Sequence, residues 1–552
     1  AKMRWNGWGW TDHPDPTESQ PAIWTRVAAA LAMPALLKTP PRALESVTLP
    51  PSRLSESQTA QLAAIVGAEH VRGDAFDRAT HARGRSYHDL LYLRAGRLDQ
   101  APDAVVYPAN KDDILKLLRL CESERIAVVP FGGGSSVVGG VTAAKGEKHA
   151  AVIALDTTRM NRIIAIDDRA MTATIEAGIW GVDLEAKLQA AGYTLGHYPQ
   201  SFEFSTLGGW IAARGAGQQS NRYGKAEYWF VSARVVTPKG VWASEGFPAS
   251  AAGPRLGDLI VGSEGTLGVI ADATVKIHRV PQAKDYRGFL FRDFGAGVEA
   301  IRTIVQRDIP SAMLRLSDAD ETYFFQAFST SPSKGGFWSS LAKRYVAARG
   351  YAERPCLFLA GAEGNAEDVA AARGDIAHIV KEHGGLAIGS SPGARWYRGR
   401  FASPYLRDPM MDNALGIDTL ETATPWPNIA RLYEAVRAAL DDAMRRTAPA
   451  TGARGLVFAH VSHAYPDGAS LYFTYIFPRD VAREVEQWRE IKRAASDAIL
   501  KTGGTISHHH GVGEDHAPWI EAEKGAAAMS ILRALKRELD PNGILNPGKL
   551  IP

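Results

Sequence analysis

Apolar and polar positions follow two textures along this chain. Residues 104–108, 126–130 and 151–155 are short apolar runs bounded by turn residues, the pattern of buried strands. Between the first two, Ile114, Leu117, Leu118 and Cys121 recur at helical spacing and predict a helix over 110–123. Strands are predicted again at 163–166, 171–176, 230–236 and 269–277, with a helix at 182–191 and a turn at 238–240. Beyond about residue 282 the period lengthens. Helices are expected at 297–307 and 366–383, and strands at 357–360 and 470–477. The tail predicts a helix up to residue 500, a histidine loop, and a helix at 520–539.

These textures predict an α+β fold in four parts. Residues 1–98 form a mainly helical segment without a strong strand pattern, and 99–281 a strand-rich lobe. Residues 282–500 form a second, α+β lobe laid over the first, and 501–552 a histidine loop and helix. A chain of 552 residues exceeds what one core usually serves, which agrees with more than one lobe.

Composition excludes more than it selects. The formal charge of +3 implies no nucleic acid as partner. Two cysteines, Cys121 and Cys356, cannot build a disulfide framework or a cysteine zinc site, and a reducing, cytoplasmic compartment is expected. No run is long enough to span a membrane, and the first residues lack the basic-then-apolar order of a secretion signal. The apolar stretch 23–38, interrupted by Pro34, is a candidate for peripheral membrane contact.

The candidate chemistry lies in the loops. Pro130, Phe131, Gly132, Gly133, Gly134, Ser135 and Ser136 follow a predicted strand. The three glycines expose consecutive N–H groups, a nest for phosphate oxygens. Gln200, Ser201, Phe202, Glu203, Phe204, Ser205 and Thr206 precede two glycines and a short helix, after which come Ala213, Arg214, Gly215 and Ala216. Glu264, Gly265, Thr266, Leu267, Gly268, Val269 and Ile270 lead into another strand. Many weak main-chain contacts spread over a long ligand suit a dinucleotide. Two standard phosphate motifs are near misses. Gly215-x-Gly217-x-x-Ser220 follows a helix rather than a strand, and Gly543 to Lys549 is followed by Leu550, which has no magnesium-binding hydroxyl.

The PFGGGSS loop, the GSEGTLGVI loop and the late NPGKL resemble FAD-binding flavoproteins of the vanillyl-alcohol-oxidase type. Within them, RWNGWG, SFEFSTLGGW, Tyr405–Asp408, Leu471–Phe473 and SHHHGVG resemble the alkyldihydroxyacetonephosphate synthase family. The resemblance implies an FAD-binding domain beneath an α+β cap, with the tail returning to the flavin. The first loop holds no histidine, so FAD is expected to be non-covalent. The implied reaction exchanges the acyl chain of acyl-dihydroxyacetone phosphate for a fatty alcohol without net redox, in a homodimer. The alternative is an FAD-dependent oxidoreductase acting on a D-2-hydroxy acid or another alcohol. Against it, the His463–Leu471 and His509–Gly513 stretches lack a histidine and a glutamate that such enzymes carry.

By that resemblance Tyr472 is the acid/base, Arg407 binds the substrate phosphate, and His197 contacts cofactor or substrate. Arg315 is a second anion binder. A phenol near pKa ~10 needs an imidazole or cation beside it to work near neutrality, and the histidine loop supplies it. His508, His509 and His510 offer a metal site, a proton relay or a phosphate cradle. In extended backbone His508 and His510 face away from His509, which favours the relay over a metal, with His509 toward the flavin. No metal is expected.

Overall fold

The structure is a computed structural model that describes residues 2–18, 22–329, 344–351 and 353–551. Two larger sheets and a two-stranded pair, Tyr193–Thr194 with His278–Arg279, lie in the first lobe among the described residues. Ala104–Val106, Ala151–Asp156 and Ile126–Phe131 are parallel neighbours. Every residue of the Ala151–Asp156 strand is buried, as expected of a parallel strand covered on both faces. The helix Lys111–Ser123 covers one face with Ile114, Leu117, Leu118 and Cys121, and Asn110 caps it by accepting from the N–H groups of Asp112 and Asp113. The second sheet is antiparallel and runs Ile163–Asp167, Thr172–Glu176, Val269–Lys276, Phe230–Thr237, Gly240–Ala243.

The cap is more strand-rich than its sequence suggests. Among the described residues seven strands form one antiparallel sheet, including Ala283–Phe291, Met313–Ser317, Leu386–Gly389, Leu415–Pro425 and Leu456–Ala464, which the pattern did not reveal. One reason is composition. Asp418, Thr419, Glu421 and Thr422 interrupt the first of the last two strands and His460, Ser462 and His463 the second, so the strict apolar alternation is broken. The helices Phe294–Gln306, Ala366–Glu382, Ile429–Arg446 and Glu484–Lys501 cover the other face.

The tail closes on the first lobe. Val128 N–H donates to Ile544 and Asn546 N–H to Val128, both at 2.8 Å, which lays the tail beside Ile126–Phe131. Asn546 Nδ2 then bridges the carbonyls of Gly140 and Glu264. The predicted tail helix is two, Ala517–Lys524 and Ala526–Leu539, broken at Gly525 where φ is +81°. Near the start, Ile23–Ala30 is helical. Val27 and Leu31 pack on Phe458 and Ile476 of the cap sheet, so the apolar face is taken up by protein and Leu37 remains exposed.

Candidate active site

The loops come together at the edge of the first lobe. Gly132, Gly133 and Gly134 have no room for a side chain: a Cβ would run into Thr206 Oγ1, the Phe204 carbonyl and the Phe131 ring respectively. Gly134 also sits at φ +65°, which favours glycine. Gly265, at φ +70°, packs on Pro130, joining the first and last glycine loops. The main-chain N–H groups of Gly132 to Ser136 make no hydrogen bond among the described residues. A run of unpaired donors in a close-packed loop is an anion nest. Ser136 Oγ accepts from Gly140 N–H at 2.9 Å, so this serine shapes the loop.

The other cofactor candidates divide into lining and support. Thr206 caps the helix Leu207–Ala212, with its hydroxyl accepting from Gly209 N–H. Ser205 accepts from the Trp210 indole at 2.7 Å, and Ser201 accepts from the Ser205 hydroxyl through its carbonyl. Gln200 donates to the Arg400 carbonyl and Glu203 accepts from Tyr405. Phe202, Phe204, Leu267, Val269 and Ile270 are buried in apolar clusters or the core. Ala213, Arg214 and Gly215 close the helix by donating to Gly209, Ile211 and Trp210, and Ala216 is buried. The Glu264 loop is tied to the helix end just before them, Glu264 N–H donating to Ala212 and Gly262 N–H to Ile211. His197 is wholly buried between Trp210 and Trp229 and accepts from the Trp229 indole at 3.2 Å. Its Nε2 is buried without a partner near Gly215, and burial pushes its pKa down to about 3. An unpaired nest and an orphaned imidazole nitrogen are what a polar cofactor would satisfy.

Facing this edge is one row of the cap sheet. Register places Glu421 opposite Tyr472 and Tyr472 opposite His460, so three adjacent strands present these side chains on one face. Leu471 and Phe473 point into the core, as the alternation predicted. His460 stacks on Tyr472 with centroids 4.9 Å apart. Behind it Arg315 donates to His460 Nε2 at 2.8 Å, and His460 Nδ1 donates to Glu321 at 2.9 Å. Arg315 is thus engaged with His460 and Glu321, behind the tyrosine.

The histidine loop departs from the extended form. The N–H groups of His508, His509 and His510 converge on the Glu421 carboxylate at 2.8, 2.7 and 2.8 Å, and the Ser507 hydroxyl adds a fourth bond at 3.0 Å. The loop curls round one buried anion, so all three imidazoles lie near it instead of alternating. Burial alone would push the Glu421 carboxyl up; His509 and His510 more than reverse this and hold it well below the usual range. His509 and His510 approach the Tyr472 ring at 6.3 and 5.8 Å. Even so, the phenol is not activated toward neutrality. Burial raises its pKa, with Glu421 adding to the rise and Arg407 and a bond to Thr419 opposing it. The Tyr472 phenol therefore keeps its proton at neutral pH.

Arg407 is buried, not a surface pair with its neighbour. It donates to the Arg85 carbonyl at 3.0 Å, lies 4.0 Å from Asp418 and packs 5.6 Å from the Trp8 ring. Asp408 instead holds the N-terminal RWNGWG turn, accepting from Trp8 N–H and Arg4. Among the described residues two nitrogen and oxygen groupings have the size of a cation site: His463, His508 and His509, and Glu421, His509 and His510. His463 is engaged by Gly217 and Ser462 and His508 by Tyr465, so the first is already hydrogen-bonded.

Sequence reasoning missed Glu421, His460 and His463 as site residues. Glu421 and His460 carry a signal only once register is known. His463 lies three residues past His460 and would face the other side of a regular strand. An irregularity between Val461 and Ala464 re-aims it, and it meets His508 at 5.0 Å.

Residues 102–244 match the FAD binding domain family and residues 280–550 the C-terminal domain of FAD linked oxidases. With the unpaired glycine nest this makes the chain an FAD-binding flavoprotein, of the fold expected from its loops. The chain is 34% identical to alkyldihydroxyacetonephosphate synthase of Dictyostelium discoideum, over 100% of this chain and 94% of that one. It is also 34% identical to the Trypanosoma brucei brucei enzyme of the same name, over 91% and 82% of the two chains. A solved structure of alkyldihydroxyacetonephosphate synthase superposes with a TM-score of 0.83 at 31% identity, covering 99% of this chain and 98% of that one. The chain belongs to the alkyldihydroxyacetonephosphate synthase family.

Proposed function

We propose that this protein exchanges the acyl chain of acyl-dihydroxyacetone phosphate for a fatty alcohol, with FAD held non-covalently and no net redox. The observation that carries the reading is the row Glu421–Tyr472–His460 closed by the histidine loop, on a family member with a full-length match. FAD, when bound, would supply a ring that can stabilise the dihydroxyacetone phosphate unit during exchange without net redox. The glycine loops hold the pyrophosphate through main-chain N–H groups. Tyr472 gives and takes the proton at the substrate carbon. His460 fixes the phenol by stacking, and Glu421 fixes the imidazoles beside it. Arg407 receives the substrate phosphate with its remaining donors, a planar fork suited to that group.

The test is direct: purified protein with FAD, palmitoyl-dihydroxyacetone phosphate and hexadecanol, with the product weighed by mass spectrometry. Alkyl product without flavin bleaching is expected. No alkyl product, with bleaching by D-lactate or D-2-hydroxyglutarate, overturns the reading in favour of a dehydrogenase. No helix among the described residues is long and apolar enough to cross a membrane. The proposal includes a cytoplasmic homodimer that meets its lipid substrates at a membrane surface through some face other than the protein-covered one of Ile23–Ala30, checked by liposome flotation and sedimentation.

A further inference from the structure

The histidine loop has a second neighbour that this reaction scheme leaves unused. Tyr465 sits on the turn between the strands Leu456–Ala464 and Gly468–Pro478, half-buried beside exposed Pro466 and Asp467. Its main chain is fixed by Tyr465 N–H donating to Gly468 at 2.8 Å, and its carbonyl accepts from the Trp426 indole. The side chain runs inward, and its hydroxyl lies 2.6 Å from His508 Nε2. His508 Nδ1 lies 2.9 Å from His509 Nδ1. His509 Nε2 makes no hydrogen bond among the described residues, and the ring stands beside Tyr472. Lys225 donates to the His508 carbonyl at 2.7 Å and anchors the middle of the chain.

We propose that Tyr465, His508 and His509 form a proton path connecting the Tyr472 site to solvent, with Tyr465 as its outer end. The proposal rests on the lipid-exchange reading above. The three groups can be written in two ways: Tyr465 donating to His508 and His508 to His509, or every proton moved one place the other way. Both forms keep both hydrogen bonds, the property a relay needs. Passage outward moves one proton and no electron. His509 Nε2 takes a proton in the site while its Nδ1 gives one to His508 Nδ1. His508 Nε2 gives one to the Tyr465 oxygen, and the Tyr465 hydroxyl proton leaves to water. The imidazoles stay neutral before and after. Burial first, then Lys225, holds the His508 pKa well below its usual value, so no long-lived imidazolium stops the hop. Tyr465 does not touch substrate and acts through His508.

The experiment uses the FAD-loaded full chain with palmitoyl-dihydroxyacetone phosphate in heavy water, following deuterium entry at the substrate carbon by mass spectrometry. For Tyr465→Phe we expect an unchanged flavin spectrum and FAD affinity, and an exchange rate about tenfold lower. For Tyr465→Ala, imidazole added to the buffer restores exchange in proportion to its concentration. A low-field proton resonance from the 2.6 Å bond is expected in the unmodified protein and absent in Tyr465→Phe. Unmodified protein that makes no alkyl product defeats the lipid reading itself. Unmodified protein that makes product, with Tyr465→Phe exchanging at full rate, overturns the path alone. Slow exchange in Tyr465→Ala that imidazole does not restore also overturns it, since Tyr465 then only supports the loop.

Discussion

Glu421→Gln tests whether one carboxylate organises the histidine loop. Glu421 is 1% exposed, and Oε1 accepts from His509 N–H, His510 N–H and the Ser507 hydroxyl while Oε2 accepts from His508 N–H. An amide that keeps its oxygen at Oε1 turns an NH2 toward the His508 N–H, donor against donor. Three charge-assisted bonds become neutral ones, each weaker by about 1 kcal/mol, and one buried donor is left unpaired at about 1–3 kcal/mol. Relief of the buried charge offsets part of this, leaving a net loss of about 3–5 kcal/mol, the range for a broken buried charge contact. At about 2.1 cal/mol/K of unfolding entropy per residue, a chain of 552 residues should lose roughly 3–4 °C in apparent Tm. Differential scanning fluorimetry of the FAD-loaded protein reads the shift, and product formation should fall with it. The pH profile supplies a second check. Glu421 ionises well below 4.5, so its stabilisation is full above that value and lost as pH falls through the folded pKa. The variant should lack this acid limb. A Tm within about 1 °C of the parent and undiminished product formation would refute the reasoning.

Tyr472→Phe should keep the flavin and the loop yet lower turnover by about 10²–10⁴, read as kcat for alkyl product at saturating substrates. Gly133→Ala puts a methyl onto the Phe204 carbonyl, so FAD affinity should fall at least tenfold or the protein should purify colourless, read by flavin absorbance. His197, His463, His510 and His516 are buried and pushed down to about 3. They stay neutral in the fold while the unfolded chain takes up protons below about 6.5. Stability should therefore fall steadily as pH drops from about 6.5 toward 3, and urea midpoints across that window check the slope.

Much of the first lobe was legible because its signals are local. The buried runs at Ile126–Phe131 and Ala151–Asp156, the amphipathic Lys111–Ser123 helix and the glycine loops need only their own residues to be recognised. The cap strands Leu415–Pro425 and Leu456–Ala464 were not, because polar residues such as Thr419, Glu421, His460 and Ser462 interrupt their apolar alternation. Tyr472 was placed on the correct face by alternation, while its partners stayed hidden. Arg407 and Arg315 were singled out, but nothing local shows that one is buried beside Asp418 and the other beside Glu321.

The chain alone determined where glycine is needed, which segments are helices or buried strands, and that three histidines stand in one loop. These depend on φ preferences and on hydrophobic period, both properties of neighbours in sequence. Only the folded sheet decided that Glu421, Tyr472 and His460 form a row, and that residue 421 gathers the N–H groups of residues 508 to 510. Strand register and the burial of a charge are set by contacts between residues up to 89 positions apart in the chain. No local pattern encodes such contacts.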